Sequence, residues 1–191
     1  MFAFVGALFV LAWVQVSQKP WRDIGYVRPK TWLRDLALGV LLGVALKLAM
    51  KAVVMPLLGA PAINQAYHYL AGNTAALPGA IFMMIAFAGF GEETVFRGFL
   101  FDRLGKVIGT TRSATVATVL ITSALFSVAH LADQGIPGAE QAAVMGLVYG
   151  TAFAMTGSLW LPMVTHVAFN LTAVAIIYVD AESAVAQLFF R

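Results

Sequence analysis

Three short segments of this chain carry side chains able to do chemistry: GEETVFRG (residues 91–98), FSVAH (126–130) and HVAFN (166–170). Each lies inside an otherwise apolar run. Glu93 and Arg97 stand four residues apart, so on a helix they share a face and can pair. Glu92 is turned about 100° from Glu93 and has no such partner. A desolvated carboxylate beside a second negative charge, without its own counter-ion, is suited to be a general base. Phe126 and His130 are again four apart, as are His166 and Asn170. One histidine in an apolar helix is ordinarily a packing residue. Two on separate segments, the second stacked with an amide, are harder to read that way.

A carboxylate, two imidazoles and an amide can together hold and deprotonate a water and stabilise an oxyanion. That is amide hydrolysis without a covalent intermediate. The same residues also read as a zinc site of two histidines and one carboxylate, Glu92, His130 and His166. The helical zinc signature H-E-x-x-H does not occur. For Glu93 and Arg97 the alternative is plain pairing between packed helices.

The elements that must position these groups follow from composition. Of 191 residues, 61% are hydrophobic and 11% charged, and the mean hydropathy is +0.85. Soluble domains run to about 45–50% apolar and about 25% charged, so this chain lacks the polar surface to coat a globule in water. The reading is an all-α, polytopic transmembrane helix bundle. A membrane barrel would show alternating segments of about ten residues instead of long apolar runs. There is no cysteine, which excludes disulfides, thiolate metal sites and a cysteine nucleophile.

Six spans are expected, at residues 1–17, 36–58, 78–104, 113–132, 139–157 and 159–179. Gly39 and Gly43 form a small-xxx-small pair that reads as helix packing. Loop 19–35 carries Lys19, Arg22, Arg28, Lys30 and Arg34 against Asp23 and Asp35, and loop 102–112 carries Arg103, Lys106 and Arg112 against Asp102. The positive-inside rule sets both loops in the cytoplasm and leaves loops 59–77 and 133–138 on the other side. Lys47 and Lys51 in the second span either pair with a carboxylate or line a cavity. His68 reads as a surface residue and the tail 181–191 as lying along the interface. Asp133 and Glu140 flank a GIPG turn.

A charge facing lipid at the bilayer centre costs about 2.5–3.5 kcal/mol, so Glu92, Glu93 and Arg97 together would cost roughly 8–10 kcal/mol. They must therefore face one another and a polar cavity between helices. At 1.5 Å per residue, Glu92, His166 and His130 come out about 18, 10 and 26 Å from the cytoplasmic helix ends.

The three segments also carry a resemblance. EETVFRG matches the E-E-x-x-x-R-G motif of the CAAX protease and bacteriocin-processing (CPBP, or Abi) family. FSVAH matches that family's F-x-x-x-H motif and HVAFN its H-x-x-x-N motif, in the family's order and on separate expected helices. The stretch RDIGYVRPKTWLRDLALGVLLG is similar to the family's N-terminal region. The motif-bearing core covers about residues 80–175 of a single transmembrane domain, 1–191.

The resemblance implies an intramembrane endopeptidase related to type II CAAX prenyl proteases, with a glutamate-activated water in a cavity opening toward the cytoplasm. By motif, Glu92 is the general base and His130 its partner, while His166 and Asn170 donate to the oxyanion. Glu93, Arg97 and Phe126 support them. A metal-free site is favoured, with zinc on Glu92, His130 and His166 as the alternative. The expected partners are the lipid bilayer of a bacterial or archaeal cell and a membrane-associated peptide or protein substrate, with no nucleic acid.

Two competing classes stand beside this reading. A non-enzymatic bacteriocin-immunity or scaffold protein would keep the fold without using the site. A proton-coupled transporter would use the glutamate and histidines as a relay, but the sequence shows no inverted repeat.

Overall fold

The computed structural model describes residues 2–190. Among them there is no β-strand, and the apolar runs form a helical bundle. Helix α1 is Phe2–Val16, α2 is Trp32–Leu57 and α3 is Thr74–Ile108. The stretch Arg112–Thr156 holds two helices, 112–134 (α4) and 136–156 (α5), meeting at Gly135. Helix α6 is Trp160–Tyr178 and the short α7 is Glu182–Ala186. Each of the six expected spans coincides with one of the helices α1 to α6. Four stretches, α2, α3, the α4–α5 pair and α6, are long and apolar enough to cross a membrane. Helix α1 is shorter, at 15 residues.

Local chemistry sets the boundaries. Thr111 caps α4 by accepting from the Ala114 N–H at 3.3 Å. Gly157 ends α5 in the left-handed region, φ 62°. Between α4 and α5, Gly135 takes φ 66° and ψ −166°, which a side chain would resist, and Pro137 opens α5. The chain reverses there. Gly146 lies against Ser123 and Gly150 against Val119, so the two helices run antiparallel. Ser127 Oγ donates to the Ala139 carbonyl at 2.7 Å across the pair. The GIPG segment is thus the hairpin that its turn residues imply.

Helix α2 packs along α6, and the glycine pair explains the close approach. A Cβ on Gly43 would stand 2.4 Å from the Thr165 carbonyl oxygen, and one on Gly39 would stand 2.6 Å from the Val164 side chain. Helix α3 runs through the middle, against α1, α6 and the α4–α5 hairpin. It is wound with i→i+5 hydrogen bonds over Met84–Glu92 and again over Thr94–Phe99. Such wide turns are rare and gather at functional positions. A core of Met50, Met55, Met145, Tyr149 and Phe169 joins α2, α5 and α6.

The two ends of the bundle differ. At one end the Leu159 N–H bonds the Gly25 carbonyl at 2.9 Å, and Lys19 pairs with Asp102 at 2.5 Å. Both basic loops therefore share this end. At the other end the Gly72 N–H bonds the Tyr178 carbonyl at 2.9 Å, and Gln134 Nε2 donates to the Tyr67 hydroxyl at 3.4 Å.

The tail is anchored at its start and exposes Leu188 and Phe189 beyond. Glu182 is only 2% exposed. It accepts from Lys51 Nζ and from the Asn64 N–H, both at 3.0 Å. Burial works against its ionisation, but the Asn64 N–H and the Lys51 ammonium outweigh burial and hold its carboxyl below the usual carboxylate range. His68 Nδ1 lies 3.5 Å from the same carboxylate, so it joins this cluster instead of standing free on the surface.

The α2–α6 contact yields a direct test. Gly43→Val overpacks it and lowers stability by about 1–3 kcal/mol. Gly79→Val, whose Cβ would meet nothing within 4 Å, leaves stability unchanged. Thermal unfolding of both variants in detergent reads the difference.

Candidate active site

The wide-wound part of α3 presents Glu92 and Glu93 in different directions. Glu93 and Arg97 are fully buried, and Arg97 donates to Glu93 Oε1 at 3.0 Å. Arg97 also donates to the Gly146 carbonyl on α5 at 3.3 Å. Its guanidinium stands 4.5 Å from the Phe126 ring centre on α4 and 5.4 Å from that of Tyr149 on α5. Glu93 Oε1 in turn accepts from His166 Nδ1 on α6 at 2.7 Å. One ion pair therefore ties α3 to α4, α5 and α6.

That tie orients His166. Its ring stacks on Tyr149, with centroids 4.7 Å apart and planes 27° apart. His130 is held separately. Its Nδ1 donates to the Phe126 carbonyl at 2.8 Å, and its ring meets the Phe126 ring at 4.5 Å. A carbonyl and a carboxylate only accept, so both imidazoles carry a proton on Nδ1 and turn Nε2 the other way.

Both Nε2 atoms face Glu92. Glu92 Oε2 lies 3.9 Å from His130 Nε2 and 3.8 Å from His166 Nε2. It is buried and makes no direct hydrogen bond among the described residues. These separations exceed a direct hydrogen bond, and Glu92 and both rings border the same cavity. Asn170, one turn beyond His166, lines the same cavity, whose volume is about 470 Å³. All four residues expected to act, Glu92, His130, His166 and Asn170, come from three helices to one wall-lined space, despite the unequal depths that uniform helical rise gives them.

Two features of the ring environment bear on a metal. Imidazoles whose Nδ1 is tied to a carboxylate or carbonyl are oriented as metal ligands commonly are. A tetrahedral zinc with bonds of about 2.0–2.1 Å sets its donors about 3.4 Å apart, so Glu92 would close by roughly half an ångström on each ring. As placed, no three His, Asp or Glu side chains among the described residues stand close enough together to hold a metal ion, so Glu92, His130 and His166 would be its donors only after that closure.

The cavity also reaches Asn64, Tyr67, Asp133 and Gln134. These belong to the end of the bundle opposite the two basic loops. The sequence expectations set both the basic loops and the cavity mouth on the cytoplasmic side. Beside Glu92 and His166 the lining includes Lys47 of α2 and Ala173 and Ile177 of α6.

Sequence reasoning passed over Tyr149, which is 1% exposed and lies between Arg97 and His166. A tyrosine in the middle of an apolar span was the available signal. It left Lys47 open between two roles, and Lys47 lines the cavity.

Removing one member of the buried pair leaves the other unpaired. Arg97→Met costs about 3–5 kcal/mol of stability. Adding Glu93→Leu to it recovers part of that loss, so the two changes are strongly non-additive in a double-mutant cycle measured by unfolding in detergent.

Comparison with curated proteins and with solved structures returns no match. The family model for type II CAAX prenyl endopeptidase Rce1-like proteins matches residues 74–172, the part that holds all four cavity residues and their supports. With apolar helices long enough to span a bilayer on either side of that cavity, the chain is an integral membrane protein and belongs to the Rce1-like family of type II CAAX prenyl endopeptidases, a family of proteases.

Proposed function

We propose that this protein is an intramembrane endopeptidase that cleaves a membrane-associated peptide or protein through a water activated by Glu92. The observation that carries the reading is the convergence of two Nε2 atoms, from separate helices, on Glu92 Oε2 at 3.8 and 3.9 Å. A water between Glu92 and His130 gives its proton to the carboxylate while its oxygen attacks the scissile carbonyl. The developing oxyanion accepts hydrogen bonds from His166 and the Asn170 amide, and the Glu93 carboxylate balances the charge that a donating His166 Nε2 requires. Glu92 then passes the proton to the leaving amine, and the C–N bond breaks. Glu93, Arg97 and Phe126 hold the two rings in register.

The reading favours a site that works without metal. Were zinc resident, Glu92, His130 and His166 would hold it, and it would supply Lewis-acid chemistry there. Metal analysis of the purified protein, with cleavage assayed after chelation, separates the two versions.

Glu92→Ala, His130→Ala and His166→Ala each abolish cleavage while the protein still inserts and folds. Asn170→Ala loses about 10²–10³ in rate, as for one oxyanion donor. The check is a comparison of uncut precursors between wild-type and Glu92→Ala membranes, together with cleavage by purified protein. Full activity in purified Glu92→Ala overturns the reading.

With the basic loops in the cytoplasm, the cavity mouth faces the other side of the membrane, and the substrate arrives from there. The chain has no cysteine, so single introduced cysteines report their own accessibility. In intact cells a membrane-impermeant maleimide labels Gln65→Cys, and labels Lys30→Cys only after permeabilisation. The reverse pattern returns the mouth to the cytoplasm.

A further inference from the structure

The two lysines of α2 have separate fates. Lys51 pairs with Glu182 at 3.0 Å and donates to the Ala62 carbonyl at 2.5 Å. Lys47, one turn earlier, is 7% exposed and lines the cavity that holds Glu92, His166 and Asn170. It is the one lysine or arginine on that wall among the described residues. It also borders a smaller adjoining cavity of about 170 Å³. Its Nζ donates to Gln141 Oε1 at 3.0 Å and stands 4.8 Å from the Phe169 ring centre. Among the described residues no carboxylate lies within 4.0 Å of it. Glu182, which borders the smaller cavity with it, is already shared by Lys51, His68 and the Asn64 N–H.

A desolvated ammonium whose partners are one neutral amide and one aromatic face lacks a counter-charge. In a bundle interior that arrangement is relieved either by loss of the proton or by an anion that arrives with the guest. The position suits a substrate group. Phe169 lies three residues beyond His166, about 4.5 Å along α6. An anion at Lys47 therefore sits roughly one to three extended residues, at about 3.3 Å each, from a bond held over Glu92.

Resting on the peptidase reading, we propose that Lys47 is a specificity-determining residue: it binds a carboxylate of the peptide substrate, either the C-terminal one or an acidic side chain close to the scissile bond. Gln141 holds the ammonium in place, and Phe169 walls it from lipid.

The test is binding to the Glu92→Gln protein in phosphatidylcholine nanodiscs, read by fluorescence anisotropy. The probe is one rhodamine-labelled, acylated apolar peptide in three forms: free acid, C-terminal amide, and amide with a single glutamate two residues from its end. At least one carboxylate-bearing form binds about tenfold or more tightly than the plain amide. Which of the two does so identifies the source of the carboxylate. Adding Lys47→Met removes the preference, and adding Lys47→Arg keeps most of it, which separates recognition from folding. Equal binding of all three forms, or a preference that survives Lys47→Met, overturns the proposal. Cleavage by the wild type is followed in parallel. Cleavage without a carboxylate preference sinks the anion site alone, whereas a preference without cleavage sinks the peptidase reading and leaves the anion site standing.

Discussion

The bundle is organised around one buried ion pair. Glu93 and Arg97 lie on α3 with no exposure, and each reaches past the other to a different helix. Glu93 accepts a hydrogen bond from His166 Nδ1, and Arg97 donates to the Gly146 carbonyl and stands against the rings of Phe126 and Tyr149. Inside a bilayer such a pair is tolerated because Glu93 Oε1 and the two terminal nitrogens of Arg97 find protein partners, although Glu93 Oε2 and Arg97 Nε have none among the described residues. Its consequence is positional. Glu93 is occupied by structure, which leaves the adjacent Glu92 as the carboxylate that faces the cavity.

This division of labour between neighbouring glutamates resembles pairs elsewhere in which environment sets role. Both carboxylates share a helix, a depth and a residue type. One is neutralised by an arginine and an imidazole at 3.0 and 2.7 Å. The other meets two imidazoles only at 3.8 and 3.9 Å, too far for a direct hydrogen bond, and all three groups border the cavity from which a reacting molecule can reach them. The rings are fixed from behind by different acceptors, a carboxylate for His166 and a backbone carbonyl for His130. That asymmetry fits a site in which one imidazole handles a water and the other an oxyanion.

Much of this was legible in the sequence, for a physical reason. Charges inside apolar runs are costly, so Glu92, Glu93, Arg97, His130, His166 and Asn170 declare themselves, and the four-residue spacings assign them to helix faces. The hairpin at Gly135 was legible from GIPG, and the α2–α6 contact from Gly39 and Gly43. Depth was not, because a uniform rise per residue and a common starting plane ignore the wide winding of α3 and the different levels at which α4 and α6 begin. The extent of the cavity was not legible either, because its lining is drawn from α1, α2, α3, α4, α5 and α6 and no local pattern encodes that gathering. The Lys51–Glu182 pair joins residues 131 apart in the chain and could not be read from either alone. Tyr149 was hidden by its likeness to ordinary core.

The central claim is that Glu92 and the two Nε2 atoms enclose one small reacting species between three helices. An experimental density map of the protein in lipid nanodiscs, detailed enough to show ordered water, tests it most directly. The account predicts Glu92 Oε2, His130 Nε2 and His166 Nε2 turned inward around a single density within hydrogen-bonding reach of Glu92. Side chains turned apart, or Glu92 directed at the acyl chains, would contradict it.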